Sequence, residues 1–131
     1  MKRLIFLLLF VIPLLSGCEK ESEIQSDSYY VRYEYNLSFI SPIGGSSYVN
    51  KTISISTDLG TIEVATISNS YTETIGPVKK GFTANISVKY DNGDKGGTTG
   101  LKIYVCRGSE PFALKAVNEP YRYTASYTID F

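Results

Sequence analysis

The stretch Tyr29-Tyr-Val-Arg-Tyr-Glu-Tyr-Asn-Leu-Ser-Phe39 decides the fold, because its side chains alternate between two kinds. Aromatic or aliphatic residues occupy every second position from Tyr29 to Phe39, and polar residues lie between them from Arg32 to Ser38. A β-strand places successive side chains on opposite faces, so this pattern predicts a strand with one buried and one wet face. Such alternation is typical of antiparallel sheets, because strands of parallel sheets are buried on both faces.

Residues 82–90 and 123–131 alternate in the same way. Shorter apolar stretches predict weaker strands at residues 51–57, 61–67, 71–75, 101–105 and 112–116. Turn-forming residues such as Asp58-Leu59-Gly60 and Gly76-Pro77 separate these stretches. Seven or eight short strands joined by turns predict an immunoglobulin-like antiparallel β-sandwich in residues 29–131.

Residues 1–17 have the features of a secretory signal peptide. Lys2 and Arg3 precede an apolar run from Leu4 to Leu15, which is well short of the ~20 residues needed to span a bilayer. The following Leu14-Leu15-Ser16-Gly17-Cys18 resembles the lipobox of bacterial lipoproteins. The resemblance implies cleavage before Cys18, transfer of a diacylglycerol to its sulfur, and acylation of the new amino group. The alternatives are an ordinary signal peptide with an unrelated cysteine, or an N-terminal membrane anchor.

Residues 19–28, EKESEIQSDS, contain one apolar side chain and predict a disordered tether after the lipidated cysteine. Their acidic run resembles the surface-export signals of lipoproteins from the Bacteroidetes group. That resemblance implies attachment to the outer membrane through the N-terminal lipid, with the protein exposed at the cell surface. A solvated spacer on a periplasm-facing lipoprotein is the alternative.

Three later segments extend this resemblance: LKIYV at 101–105, PFALKA at 111–116 and YTIDF at 127–131. Together with the lipobox and the acidic tether, they are similar to small lipid-anchored β-sandwich lipoproteins of gut Bacteroidetes. The resemblance assigns no catalytic or ligand-binding residue to this chain.

The residue types present argue against most catalytic chemistry. The chain has no histidine, which removes the commonest general base and metal ligand. If Cys18 carries lipid, Cys106 is left without a cysteine partner, and its place in a strand pattern predicts a buried, unreactive thiol. A carboxylate pair is the remaining catalytic route, and nothing in the sequence sets two acids at a defined separation. We therefore expect a noncatalytic protein without a cofactor.

The charges and the glycine-rich loop at 91–100 bear on possible partners. Basic and acidic residues are equal in number, 13 each, and no basic cluster occurs, so we expect no nucleic-acid partner. Asp91, Asn92 and Asp94 offer oxygens to Ca²⁺, but they lack the spacing of a calcium-binding loop. A solvated turn is the preferred interpretation, and we expect no metal site.

The residues predicted to bind a ligand are tyrosines. Five of the 11 tyrosines fall outside the predicted inward faces or in loops: Tyr30, Tyr48, Tyr71, Tyr104 and Tyr121. We predict ligand binding by Tyr48, Tyr71 and Tyr104, because exposed tyrosines stack on sugars or anchor protein partners; the alternative is that they only cover sheet surface. The protein is then a binding module for a glycan, a host protein or a partner in an envelope complex. The alternative function is an inhibitor that blocks an enzyme with loops 41–47 and 91–100.

The anchor is testable by mutation. Cys18→Ala removes the sulfur that would accept the lipid, so the variant should incorporate no labelled fatty acid and should remain uncleaved or mislocalised. Metabolic labelling and membrane fractionation measure both effects, with Cys106→Ala as the matched cysteine control. Normal labelling and membrane retention of the Cys18 variant would contradict the lipoprotein assignment.

Overall fold

The computed structural model describes residues 27–38, 49–91 and 97–131. The predicted leader, Cys18 and most of the tether lie outside these residues, so their assignment stays a prediction. Eight strands follow one another: β1 (Tyr29–Ser38), β2 (Lys51–Thr57), β3 (Gly60–Thr66), β4 (Ser70–Val78), β5 (Thr83–Tyr90), β6 (Thr98–Arg107), β7 (Ala113–Val117) and β8 (Thr124–Thr128). In the described ranges, no helix is long and apolar enough to cross a membrane.

The strands form two four-stranded antiparallel sheets. The first sheet has the order β4-β1-β6-β7, and the second has the order β3-β2-β5-β8. Only β2–β3 and β6–β7 are both consecutive in the chain and paired in a sheet, which makes them hairpins. The other connections pass from one sheet to the other. The predicted β-sandwich is confirmed.

The immunoglobulin-like assignment is finer than this and stays a prediction. The immunoglobulin constant domain has the strand orders A-B-E-D and C-F-G. The present chain pairs its second strand with its fifth and its sixth with its seventh, as B–E and F–G do. It differs in the remaining neighbours, because β1 lies between β4 and β6 in the first sheet.

The core forms where the inward faces of the two sheets meet. Alternate side chains of β1 from Tyr29 to Leu37 are at most 4% exposed, as the alternation predicted. The buried residues from the other elements are Ile53, Ile55, Val78, Ala84, Ile86, Val88, Tyr90, Leu101, Ile103, Val105, Ala125 and Ile129. Full burial of one large apolar side chain stabilises the folded state by roughly 1.5–3 kcal/mol. The core of the described residues is built from side chains between Tyr29 and Ile129.

Tyrosine hydroxyls in this core bond across the sandwich. Tyr33 in the first sheet donates to the carbonyl oxygen of Ser56 in the second, at 2.8 Å. Burial raises the pKa of Tyr33 to about 12, which keeps the phenol neutral at physiological pH. Tyr29 donates to the carbonyl oxygen of Phe131, and the two rings meet edge to face at 5.4 Å.

The fourth predicted strand was too short. It was expected to end at Gly76-Pro77, whereas β4 continues to Val78. The pairing of β4 with β1 shifts between Tyr29 and Val31, which is a β-bulge that tolerates a proline on an edge strand. Gly76 has a φ of +140°, and a Cβ there would lie 2.6 Å from Cδ1 of Tyr30, so the bulge requires glycine.

A second bulge divides the residues predicted for β7. Ala116 lies opposite Ile103 and therefore faces the core, whereas Leu114 lies opposite Tyr104 and faces outward. Leu114 is accordingly 49% exposed. The period-two argument fails here because one extra residue reverses the face of every side chain before it.

The end of the chain also departs from its predicted pattern. Tyr123 was predicted to face the core but lies before β8, and it contacts the Tyr90 ring edge-on at 5.7 Å. Tyr123 and Phe131 are each 37% exposed and lie outside the Thr124–Thr128 ladder of β8 with β5.

Cys106 is buried, as predicted, but it does not lie in the core. It pairs with Tyr30 on the outer face of the first sheet, and its Sγ lies 4.0 Å from the carbonyl oxygen of Gly108. Burial raises the pKa of the thiol, which lowers the fraction of reactive thiolate.

The register of β5 can be tested with two neighbouring residues. Ile86→Ala should lower the free energy of unfolding by about 2–4 kcal/mol, because Ile86 is fully buried and its removal leaves a cavity. Asn85→Ala, one position away on the exposed face, should change it by no more than about 0.5 kcal/mol. Urea denaturation measures both values. Equal losses would show that the register is wrong.

Candidate functional site

The N-terminal segment enters the sandwich at one end, and the predicted loops are attached at the other. Strand β1 starts at Tyr29, near the carbonyl oxygen of Ser28, which accepts a hydrogen bond from the Gly108 amide at 2.7 Å. Its ten residues span about 33 Å. At the far end, Ser38 lies opposite Thr98, and the Leu37 amide donates to the carbonyl oxygen of Asn69. We call this end, away from the N-terminus, the distal end.

The predicted loops are attached at the distal end. The described residues that border the first loop are Ser38 and Val49, and the described residues of the second loop include Asp91 and Gly97. The Asp91 amide donates to the carbonyl oxygen of Asn50 at 3.0 Å. Tyr48, loop 41–47 and Asp94 lie outside the described residues, so the roles predicted for them are untested.

Tyr71 is not an exposed anchor. It lies opposite Tyr35 on β1, on the side that faces the other sheet, and it is half-buried against the core. Burial and the nearby Glu73 carboxylate raise the pKa of its phenol. The predicted placement of Tyr71 off the inward faces is wrong, because β4 carries it on its inward side, and its role in ligand binding stays a prediction.

Tyr104 lies on the outer face of the first sheet, as the sequence predicted, but one side of its ring is covered. The Arg32 guanidinium lies 4.5 Å from the Tyr104 ring centroid and 4.7 Å from that of Phe112. Its Nε is 3.4 Å from Oε1 of Glu34, which is an ion pair without hydrogen-bond geometry. Tyr104 therefore helps to hold Arg32, and through it Glu34, on this face.

A polar groove crosses the outer face beside Glu34. It has a volume of about 510 Å³ and is lined by Glu34, Tyr35, Asn36, Ser38, Ser70, Thr72, Thr98, Gly100 and Lys102. Gly100 lies opposite Asn36 on the neighbouring strand, and a Cβ there would find its nearest atom 3.6 Å away. Because Gly100 has no side chain, the groove is deeper between Thr98 and Lys102.

An apolar pocket adjoins the groove at the distal end. Its volume is about 410 Å³, and its lining is Gly97, Thr98, Thr99, Gly100, Val117, Asn118, Glu119, Pro120, Tyr121, Arg122 and Tyr123. Thr98 and Gly100 line both cavities, so the groove and the pocket form one continuous surface. Each half has one acidic and one basic side chain, Glu34 with Lys102 and Glu119 with Arg122.

Tyr121 is the most exposed aromatic residue of this surface, at 93%. The Arg122 amide donates to the carbonyl oxygen of Glu119 at 3.0 Å, which closes a turn with Pro120 and Tyr121 at its centre. Tyr121 has a φ of 64°, in the left-handed region. A turn with proline first and a positive φ second normally has glycine or asparagine at the second place, so tyrosine is costly there.

The Asn118 side chain fixes the loop that carries Tyr121. Its Oδ1 accepts a hydrogen bond from the Leu101 amide at 2.9 Å. Its Nδ2 donates to the carbonyl oxygens of Thr99 at 3.0 Å and of Arg122 at 2.7 Å. The start of β6 and the end of the loop are thus held by one amide group.

A hydrogen-bonded chain underlies the same end. The Tyr35 and Tyr90 hydroxyls are 3.1 Å apart, and the Tyr90 hydroxyl is 2.6 Å from Oγ1 of Thr99. Burial, with the nearby Tyr90, raises the pKa of Tyr35 well above its ordinary value. Lys51, buried nearby, donates to the carbonyl oxygen of Ser68 at 2.8 Å and lies 5.6 Å from the Tyr35 ring centroid; burial lowers its pKa. These bonds join the two sheets beneath the distal end.

Three other carboxylates lie away from this surface. Glu63 is on β3 of the second sheet, Glu73 is on β4, and Glu110 follows β6 at the end near the N-terminus; none of them lines the groove or the pocket. Within the described residues, no group of three or more His, Cys, Asp or Glu side chains could hold a metal ion.

Sequence reasoning did not select Tyr121 or Gly100. It grouped Tyr121 with other loop tyrosines, although Glu119-Pro120-Tyr121 contains a turn signal between two predicted strands. It treated Gly100 as the end of a loop, whereas Gly100 lies inside β6. Comparisons of this chain with protein-family models, with curated proteins and with solved structures found no match.

The Asn118 amide can be tested directly. Asn118→Asp keeps the acceptor for the Leu101 amide but places a carboxylate against the carbonyl oxygens of Thr99 and Arg122. The variant should lose about 1–3 kcal/mol of stability, and the Leu101 and Arg122 amides should exchange faster. Urea denaturation and hydrogen exchange measure these effects. Glu119→Gln, which changes one charge next to Asn118, is the control, and equal behaviour of the two variants would contradict the role of Asn118.

Proposed function

We propose that this protein is a noncatalytic binding module of the cell envelope. The observation that carries the proposal is the continuity of the polar groove with the Tyr121 pocket at the distal end. A concave surface that combines polar groups with one exposed aromatic anchor is typical of ligand sites. The proposed partner is a glycan, a host protein or another member of an envelope complex, and we propose no nucleic-acid partner.

The location of the surface supports this role. The proposed lipid is attached at Cys18, and the chain enters the sandwich at Tyr29, at the end opposite Tyr121. A lipid-anchored protein with this arrangement would direct the groove and Tyr121 away from its own membrane. We propose attachment to the outer membrane with exposure at the cell surface, in keeping with the resemblance to Bacteroidetes lipoproteins.

The conformation of Tyr121 also supports binding. An exposed ring contributes little to the core, and its positive φ costs free energy that asparagine or glycine would largely avoid. Side chains held at such a cost occur at functional sites more often than elsewhere. A large amphipathic ring supplies much contact area at a low cost in conformational entropy, because it has only two side-chain torsions.

The noncatalytic part of the proposal rests on residue types and positions. The chain has no histidine, and Glu63, Glu73 and Glu110 lie outside the groove and the pocket. Glu34, the acid of the groove, is paired with Arg32. An acid-base mechanism with two carboxylates would need a second acid at a defined distance from it.

An inhibitor is the second candidate function. It is favoured by one observation, namely that the residues flanking loops 41–47 and 91–100 lie at the same end as Tyr121. A rigid sandwich presenting loops and an exposed ring at one end has the form of an enzyme-blocking surface. A protease-inhibition panel separates the two functions, because a binding module leaves enzyme activity unchanged.

Site-specific photo-crosslinking tests the binding surface. Leu59 is 93% exposed like Tyr121, but it lies in the β2–β3 turn at the opposite end of the sandwich. A photoreactive amino acid at position 121 should give covalent adducts on intact cells, and the same group at position 59 should give few. Gly100→Val combined with the position-121 probe should remove the adducts. Equal adducts at both positions, or none at 121, would contradict the proposal.

A further inference from the structure

We infer that the ligand of this surface is a neutral oligosaccharide, with its sugar rings along the polar groove and one apolar sugar face on Tyr121. The inference rests on the proposed binding function and specifies its ligand class. It follows from three properties of the surface: the chemistry of the groove lining, its balance of charge, and the position of the exposed ring.

The groove lining matches the hydroxyl groups of a sugar. Each sugar hydroxyl donates one hydrogen bond and accepts others, so a site that binds it needs both donors and acceptors in a fixed arrangement. The Asn36 amide supplies both kinds of group, the Glu34 carboxylate accepts, and the Lys102 ammonium donates. Serine and threonine hydroxyls on β4 and β6 complete the rim.

Two of these groups have a partner side chain within the protein. Glu34 is held by Arg32, whose guanidinium lies between two aromatic rings at 4.5 and 4.7 Å. Asn36 Oδ1 accepts a hydrogen bond from Ser38 Oγ at 3.1 Å, which leaves the amide nitrogen of Asn36 available to donate. Groups that are already oriented lose less entropy on binding, which favours recognition of a polar ligand that also bonds well to water.

The charges select a neutral ligand. The continuous surface is lined by two acids, Glu34 and Glu119, and two bases, Lys102 and Arg122. A uronic or sialic acid is favoured by a cluster of positive side chains, and the lining has none; Arg32, which lies beside the groove, contacts Glu34. Binding of a neutral sugar should accordingly depend little on salt.

The aromatic ring lies where a sugar chain would leave the groove. Gly100 lines both cavities and presents no side chain between them, so a chain of two or more sugar units can pass from the groove onto Tyr121. Sugar rings have one face of C–H groups, which packs well on a tyrosine ring. A single sugar would fill only one half of the surface, so we expect disaccharides and longer chains to bind better than monosaccharides.

Two substitutions remove the ligand contacts while preserving the fold. Gly100→Val fills the passage between the cavities; its Cβ would lie in ordinary van der Waals contact, 3.6 Å from the carbonyl oxygen of Asn36, and valine favours β-strands, so we expect the variant to fold. Tyr121→Asn removes the ring and places a residue that tolerates positive φ in the turn. Ser126→Val is the matched control, because Ser126 is exposed on the outer face of the second sheet.

The experiment screens residues 19–131 against neutral oligosaccharides of hexoses and N-acetylhexosamines and against oligosaccharides containing uronic or sialic acid. Isothermal titration calorimetry then measures Kd for the wild type and the three variants, and thermal denaturation checks folding. We expect a neutral oligosaccharide to bind, with Kd at least about tenfold weaker in Gly100→Val and Tyr121→Asn and unchanged in Ser126→Val. Its Kd should change by less than about twofold between low and high salt.

Several results would overturn the inference. Binding of acidic oligosaccharides alone, lost at high salt, would show that the ligand is anionic. Sugar binding that survives in both folded variants would place the site elsewhere. If no oligosaccharide binds with a Kd below about 1 mM while position 121 still crosslinks to a protein partner, the sugar inference fails and the binding function stands. If neither sugar binding nor crosslinks are observed, the sugar inference and the proposed binding function both fail.

Discussion

The strict alternation of strand β1 is the constraint on which the rest of the structure depends. β1 lies between β4 and β6 in the first sheet, and its inward side chains form one wall of the core. A register slip by one residue would turn Tyr29, Tyr33 and Tyr35 to the outside and bury Arg32 and Glu34 without solvation. Because the slipped arrangement is so unfavourable, β1 determines the register of both neighbours, and with it the outer face that carries the groove.

Tyrosines give this core a property that an aliphatic core would lack. Each buried phenol must place its hydroxyl against a partner, since an unsatisfied buried hydroxyl is costly. Tyr33 reaches Ser56 in the second sheet, and the Tyr35 hydroxyl reaches Thr99 through Tyr90 of the second sheet. These directional bonds fix how the two sheets lie on one another, which the hydrophobic effect alone does not do because it has no direction. Two of these bonds lie at the distal end, beneath the proposed site.

The outer face of the first sheet is organised by residues that take no part in the core. Tyr104 and Phe112 hold Arg32, Arg32 holds Glu34, and Gly100 leaves space beside them. Asn118 joins this face to the loop of Tyr121. The functional proposal therefore depends on a continuous surface made by β4, β1, β6 and the β7–β8 loop, and no one of these elements would form it alone.

The sequence by itself determined the strands and most of their faces, because the period-two pattern is a local property that each strand carries in its own residues. It determined the burial of β1 and β5 and, by its lack of histidine, much of the chemistry available. It misplaced Tyr71, Leu114 and Tyr123 and did not distinguish Tyr121 from other loop tyrosines. The face and the exposure of those residues are decided by bulges, by edge positions and by the passage of the chain between sheets. All three depend on strands that are distant in sequence. Only the tertiary structure decided that Gly100, Asn36 and Tyr121 share one surface, because strand order in a sheet is fixed by the packing of the two sheets together.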